Sequence, residues 1–428
     1  ALTDAQIYAL LAIAEARTTA APTYAPARWP RQDAPPPRPE IRPDGPPERS
    51  MLEALRDTLA DLLAAHPEVT LYGQDIEDPK GDVFGVTRGL SSRFPGRVTN
   101  SPLAESTIVG TAVGRALAGG RPIVFLQFAD FFPVAYNQLV AELAAIEWRT
   151  AGRFRVPVIV MAVAGGYRAG LGPYHAQSPE APLAAIPGLD VVMPSTAADA
   201  AGLLRGAFEA ARPTVLLYPK ALLNDRQRGM PADVRPSVPI GRARRIRRGD
   251  DLTLVGWGNT VPLCEEAATV LAHAGIRCDV FDLRSLVPWD REAVLDSVRR
   301  TGRLIVVHEA PPVCGLGAEL IATVAEHAGV PVAMARVTGP DSLPPFHEGL
   351  HRAVLPSLRR ILETAAPMLA LELSWERVEA DPPGWLTVRA AGSSPSDENI
   401  RIVRLHVQPG DRVEAGRLLA SVEADKAP

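Results

Sequence analysis

Residues 156–166 form the longest strongly apolar run in the chain, and shorter runs of the same kind stand on either side of it. Each is separated from the next by a stretch with apolar residues at helical spacing. This alternation is what most constrains the fold. A strand that is apolar on both faces must be covered on both faces, and helices between such strands supply the cover. The pattern predicts strands over 69–72, 123–127, 156–163, 191–193 and 215–218. It predicts helices over 52–65, 106–119, 135–148 and 197–211. A turn-rich stretch over 221–250 follows, and the alternation then resumes. Strands are expected over 252–255, 277–283, 304–308 and 332–336, with helices over 261–274, 318–327 and near 350–363. The expectation is an α/β chain with two doubly wound parallel-sheet domains, over 50–230 and 240–369. Residues 398–428 change character to short strands and a turn, a partial all-β segment.

The N-terminal 49 residues differ again. Residues 4–17 have helical spacing, with Asp4 able to cap. Ten prolines fall within residues 22–47. Proline fixes φ and removes a donor, so that stretch reads as an extended arm or linker. The longest apolar run is shorter than the ~20 residues a membrane helix needs. The net charge of −4 and pI near 6.1 argue against a dedicated nucleic-acid binder, which needs a basic face. Three cysteines, Cys264, Cys278 and Cys314, make no disulfide framework and fit a reducing, cytoplasmic setting. Only three lysines occur, Lys80, Lys220 and Lys426, which makes each more informative.

Few residues stand out chemically. Glu105 leads into an apolar helix crowded with small residues, so its carboxylate must be solvated, paired or used. A helix-start glutamate favoured by the macrodipole is the plain alternative. Phe131 follows an apolar strand at its carboxyl end, where open α/β sheets place ligands. His175 lies in a loop rich in glycine and small polar residues, available for proton transfer. His308, in H-E-A-P, ends a strand and reads as a subunit or domain contact. The glycine-rich C-G-L-G-A (314–318) reads as packing. No metal-type cysteine or histidine spacing and no Walker loop are present.

Eight stretches carry a more specific signal: G-D-V-F-G-V-T-R-G-L (81–90), S-P-L-A-E (101–105), L-Q-F-A-D (126–130), Y-H-A-Q-S-P-E-A (174–181), P-G-L-D-V-V-M-P-S (187–195), D-L-R-S-L-V-P-W-D (282–290), T-G-R-L-I-V-V-H-E-A-P (301–311) and R-V-T-G-P-D (336–341). In this order they resemble the β subunit of the thiamine diphosphate-dependent decarboxylating component of 2-oxoacid dehydrogenase complexes, over roughly residues 50–369. The resemblance implies a transketolase-like pyrimidine-binding domain followed by a transketolase C-terminal domain. It implies that Glu105 hydrogen-bonds the aminopyrimidine ring of the cofactor. That favours the imino tautomer, whose nitrogen takes the thiazolium proton. It implies that Phe131 packs against the same ring and that His175 serves near the thiazolium in passing the acyl group to lipoamide.

The G-D-G motif that holds magnesium and diphosphate in thiamine enzymes is missing; Gly249, Asp250 and Asp251 lack the second glycine. The resemblance therefore implies an α subunit that supplies that half of the site and the magnesium. It also implies two α and two β chains, and a dihydrolipoyl acyltransferase core as a further partner. Branched-chain 2-oxoacids are the favoured substrates and pyruvate the runner-up. Another transketolase-like enzyme and a non-catalytic assembly subunit are the competing readings. Some relatives hold a structural potassium ion through an aspartate before the last strand of the first domain; here Glu209, Ala210, Ala211 and Arg212 put that ion in doubt. Residues 400–427 resemble the first half of a lipoyl domain, with Lys426 between Asp425 and Ala427 at the position that takes lipoate. Half of that domain buries too little to stand alone, so lipoylation is expected in a longer form and not in the 428-residue chain.

Overall fold

The computed structural model describes residues 46–168, 171–373, 400–408, 411–414 and 417–424. The expected helix over 4–17, nearly all of the proline-rich arm, and Lys426 lie outside the described residues. The chain enters the fold at helix Met51–Ala65. Ser50 caps it: its hydroxyl accepts from the Glu53 amide, and the Glu53 carboxylate accepts from the Ser50 amide at 2.8 Å. Two of the helix's otherwise orphaned donors are satisfied this way.

Six strands follow: β1 (Val69–Gly73), β2 (Val98–Asn100), β3 (Arg121–Phe128), β4 (Ile159–Ala164), β5 (Asp190–Val192) and β6 (Thr214–Pro219). Then come β7 (Arg244–Arg247), β8 (Leu252–Gly256), β9 (Cys278–Asp282), β10 (Ser285–Val287), β11 (Arg303–His308) and β12 (Ala333–Thr338). Two sheets result, ordered β10-β5-β6-β4-β3-β1-β2 and β12-β11-β8-β9-β7. A separate antiparallel hairpin pairs β13 (Ile400–Leu405) with β14 (Ala420–Ala424). Every residue of β4, β5, β6, β8 and β9 is buried, as continuous apolar runs covered on both faces require. Burying each Val, Leu or Ile contributes roughly 1.5–3 kcal/mol. Among the described residues, no helix is long and apolar enough to cross a membrane.

Several elements differ from expectation, among them helix Arg291–Thr301 and β2, which no pattern predicted. The sheets are not wholly parallel: β10 runs antiparallel to β5, and β7 antiparallel to β9. The short β10 lies beyond the turn-rich divide in sequence yet completes the first sheet. The helix expected over 135–148 is a helical run with a widened centre, Phe132–Asn137, Gln138–Ala144 as a π-type turn, and Ile146–Arg149. The helix expected near 350–363 is two, Glu348–Val354 and Leu358–Leu369. The break is at Leu355, which is extended because Pro356 disfavours a helical residue before it.

A buried ionic network accompanies the β10 crossover. Arg284, in left-handed conformation at φ 43°, donates to the Asp199 carboxylate at 2.6 Å and to the Arg242 carbonyl at 2.9 Å. Arg244 reaches Asp199 at 3.0 Å and Asp282 at 3.2 Å, and Ser195 donates to Asp282. Burial pushes the Asp199 carboxyl up, and Arg244 and Arg284 outweigh it and hold the group below its ordinary range. Removing one partner leaves a buried charge uncompensated, which costs about 3–5 kcal/mol. Arg284→Met should therefore lower stability by about that amount in chemical denaturation; a loss below about 1 kcal/mol, the range of an exposed pair, would contradict the network's role.

Candidate active site

The carboxyl ends of β3, β4 and β6 meet one loop. At Phe128 β3 ends and the chain turns through Ala129–Phe131 into helix Phe132–Asn137. Phe128 and Phe131 stand edge-on to each other, ring centroids 6.3 Å apart. The His175 imidazole stands edge-on to both, at 4.3 Å from Phe128 and 5.8 Å from Phe131. Phe84, from the G-D-V-F stretch, closes the cluster against Phe128 at 5.9 Å. Two of the three sequence-predicted site residues, Phe131 and His175, are thus brought into one half-buried aromatic group.

Glu105 is the first residue of helix Glu105–Leu117. Its neighbour Ser106 donates to the carbonyl of Val134, three residues beyond Phe131, so the helix start is tied to the segment carrying the aromatic. The Glu105 carboxylate is half-buried and has no hydrogen-bond or ion-pair partner among the described residues. It offers a free acceptor beside a ring-stacking surface. Two residues before Glu105, Leu103 is 71% exposed, and on the segment that Ser106 holds Val134 and Tyr136 are exposed too.

The loop carrying His175 is gripped from two sides. Its entry needs glycine: Gly165 has φ +83°, and a Cβ there would lie 2.5 Å from Asn259 Nδ2 and 2.7 Å from Glu309 Oε1. The Gly166 amide donates to Glu309 Oε2 at 2.5 Å, and Asn259 Nδ2 donates to Glu309 Oε1 at 2.8 Å. Tyr167 donates to the Pro356 carbonyl at 2.8 Å. On the other side, Lys220 donates to the carbonyls of Gly165 and His175. The Gln177 amide donates to Asp130 Oδ1 at 3.0 Å. Burial raises the carboxyls of Asp130 and Glu309, and burial lowers the Lys220 ammonium to about 8 despite both carboxylates. Lys220, Asp130, Glu309 and Asn259 escaped prediction; the one sequence signal was the rarity of lysine.

Just past the loop, Glu180 is fully buried and accepts from Trp257 Nε1 at 3.2 Å, while its Oε2 has no partner. Trp257 stacks on His308 at 5.2 Å, nearly parallel. His308 is buried and lies inside the second sheet's core, packed against Gly315 and Gly317. The C-G-L-G-A stretch is therefore packing. Asp250 and Asp251 pair with Arg277 and Arg300. At the position where the potassium ion was in doubt, Arg212 grips the buried Asp190 carboxylate through two hydrogen bonds, at 2.9 and 3.0 Å. Among the described residues, no group of His, Cys, Asp or Glu is arranged to hold a metal ion.

Comparison with known proteins agrees with this layout. Residues 48–226 match the transketolase pyrimidine-binding domain family, and residues 241–361 the transketolase C-terminal domain family. The chain is 36% identical over 317 residues to 2-oxoisovalerate dehydrogenase subunit beta 2, mitochondrial, of Arabidopsis thaliana, covering 73% of this chain and 87% of that one. It is 38% identical to the pyruvate dehydrogenase E1 component subunit beta of Leifsonia xyli, over 75% and 94%. It is 37% identical to the 2-oxoisovalerate dehydrogenase subunit beta of Pseudomonas aeruginosa, over 73% and 92%. A solved split-gene transketolase, an inactive β4 tetramer, shares the fold with a TM-score of 0.62 at 24% identity, over 76% of this chain and 99% of that one.

Burial raises the Glu180 carboxyl from 4.5 to about 7. Across that window the folded chain keeps a proton the unfolded chain releases, so stability falls as pH rises and the loss is complete above about 7. Glu180→Gln keeps an acceptor for Trp257 and removes the titration. The variant should exceed the wild type in stability by about 2–3 kcal/mol at pH 8, and the gap should close by about pH 5. Denaturation at the two pH values checks this; a gap that does not change with pH would contradict it.

Proposed function

Since the chain belongs to the family of β subunits of thiamine diphosphate-dependent 2-oxoacid dehydrogenases, we propose that it works with an α subunit. Together they decarboxylate a 2-oxoacid oxidatively and pass the acyl group to lipoamide on a dihydrolipoyl acyltransferase core. Branched-chain 2-oxoacids such as 2-oxoisovalerate are the proposed substrates and pyruvate the alternative; relatives named for both are similarly close. The observation that carries the reading is the unpartnered Glu105 carboxylate, fixed beside the Phe131 segment at the start of a helix.

These residues fit the pyrimidine half of thiamine diphosphate: a free carboxylate for a ring nitrogen, an aromatic for the ring face, and a histidine nearby. When bound, the cofactor supplies a carbon nucleophile for the 2-oxo carbonyl. In this proposal Glu105 holds a proton at the pyrimidine nitrogen, Phe131 packs on the ring, and His175 moves a proton at the acyl oxygen as the group departs. The chain lacks the G-D-G motif, so the magnesium and diphosphate are assigned to the α subunit. The exposed apolar side chains of Leu103, Val134 and Tyr136 support a site built against another chain, in an assembly of two α and two β. The setting is taken as cytoplasmic, consistent with three unpaired cysteines.

Glu105→Gln, reconstituted with the α subunit, should lose at least ~100-fold in turnover while assembling normally. Near-normal turnover would remove the central assignment. Assays on pyruvate, 2-oxobutyrate and 2-oxoisovalerate should show the highest kcat/KM on 2-oxoisovalerate; a clear preference for pyruvate would reverse the substrate assignment. A lipoyl group on Lys426, in a longer form of the chain, belongs to the same proposal. Intact mass after co-expression with a lipoate ligase tests it, and an unmodified longer form would reject it.

A further inference from the structure

Resting on the role proposed for His175, we infer that Lys220 is a positioning residue, whose ammonium fixes the His175 loop through the carbonyls at its two ends. Lys220 follows directly on β6, in the middle of the first sheet, and is only 2% exposed. Its Nζ donates to the carbonyl of Gly165, where the chain leaves β4, and to the carbonyl of His175 itself. A donor with several hydrogens, reaching from the end of a buried strand, closes both ends of the loop at once. The Gly165 amide bonds to the Gln177 carbonyl at 2.9 Å, so the closure continues two residues past the histidine.

Surrounding groups serve the same geometry. The ammonium lies 5.6 Å from the centroid of the Phe128 ring, and that ring also packs against the His175 imidazole. Lysine stem and imidazole therefore share one wall. Asp130 holds the Gln177 amide and Glu309 holds the Gly166 amide, and both carboxylates favour the charged form of Lys220. The Lys220 ammonium bonds the His175 backbone and not its ring, so it acts on the chain that aims the imidazole.

Lys220→Met keeps the apolar stem and deletes the donors, leaving two carbonyls unpaired in the interior. Hydrogen–deuterium exchange on the full chain should rise in peptides covering 165–179 and stay unchanged in those covering β1 and β8. Unchanged loop exchange would overturn the inference. In the complex reconstituted with the α subunit, turnover per bound thiamine diphosphate should fall about 100-fold, the scale of a small misplacement of a reacting group, with KM unaltered. The relative losses with an artificial electron acceptor and with a lipoylated acceptor domain should match those of His175→Ala. The double variant should be no slower than His175→Ala alone. Losses that multiply, or a different pattern across the two acceptors, would show a general structural role and overturn the inference. Should Lys220→Met fail to fold, Lys220→Gln, which retains an amide donor for one carbonyl, carries the same measurements. If the wild-type complex turns over no 2-oxoacid while Lys220→Met still loosens the loop, the role proposed for His175 fails and the loop closure stands.

Discussion

The pairing of β10 with β5 is the join on which the rest depends. A strand from beyond the sequence divide completes the first sheet, and Arg284, immediately before it, is buried against Asp199. The two halves of the chain are thereby held in one register. In that register Glu309 and Asn259, from the second half, reach Gly165 and Gly166 at the mouth of the first sheet. The loop bearing His175 is shaped by both halves, and Trp257 from the second reaches Glu180 just behind it.

Polar groups concentrate where the parallel strands end. Backbone groups at a strand's carboxyl end lose their ladder partners and must find others. Here a lysine and two carboxylates satisfy the loop that leaves β4, and an asparagine holds one of those carboxylates. Glu105 is different in kind: its carboxylate has no such duty among the described residues. A half-buried carboxylate with no partner among the described residues, at a helix start tied to the segment that follows Phe131, is free to take a partner from outside the chain.

Most of the fold was legible because buried parallel strands announce themselves as apolar runs, and β4 and β6 lie close to the expected bounds. β10 was not, since a three-residue strand containing Ser285 shows no periodicity and its partner is distant in sequence. The split of the last helix is written in Leu355-Pro356, which the apolar periodicity on either side masks. Within the site, Phe131 and His175 stand edge-on to each other and share Phe128, a contact that no spacing in the sequence announces. Lys220 was flagged only by scarcity. Attention fell on His308 as a contact residue, yet its neighbour Glu309 is the one that reaches across; nothing in H-E-A-P distinguishes them before the strand's direction is known.

The proposal that most needs testing is that this chain holds the pyrimidine half of a thiamine diphosphate site whose other half comes from an α subunit. Calorimetric titration with thiamine diphosphate and magnesium tests it directly. The chain alone should show no tight binding, and the chain assembled with its α subunit should bind one cofactor per β chain. Tight, magnesium-dependent binding by the chain alone, or none by the assembled pair, would contradict the account.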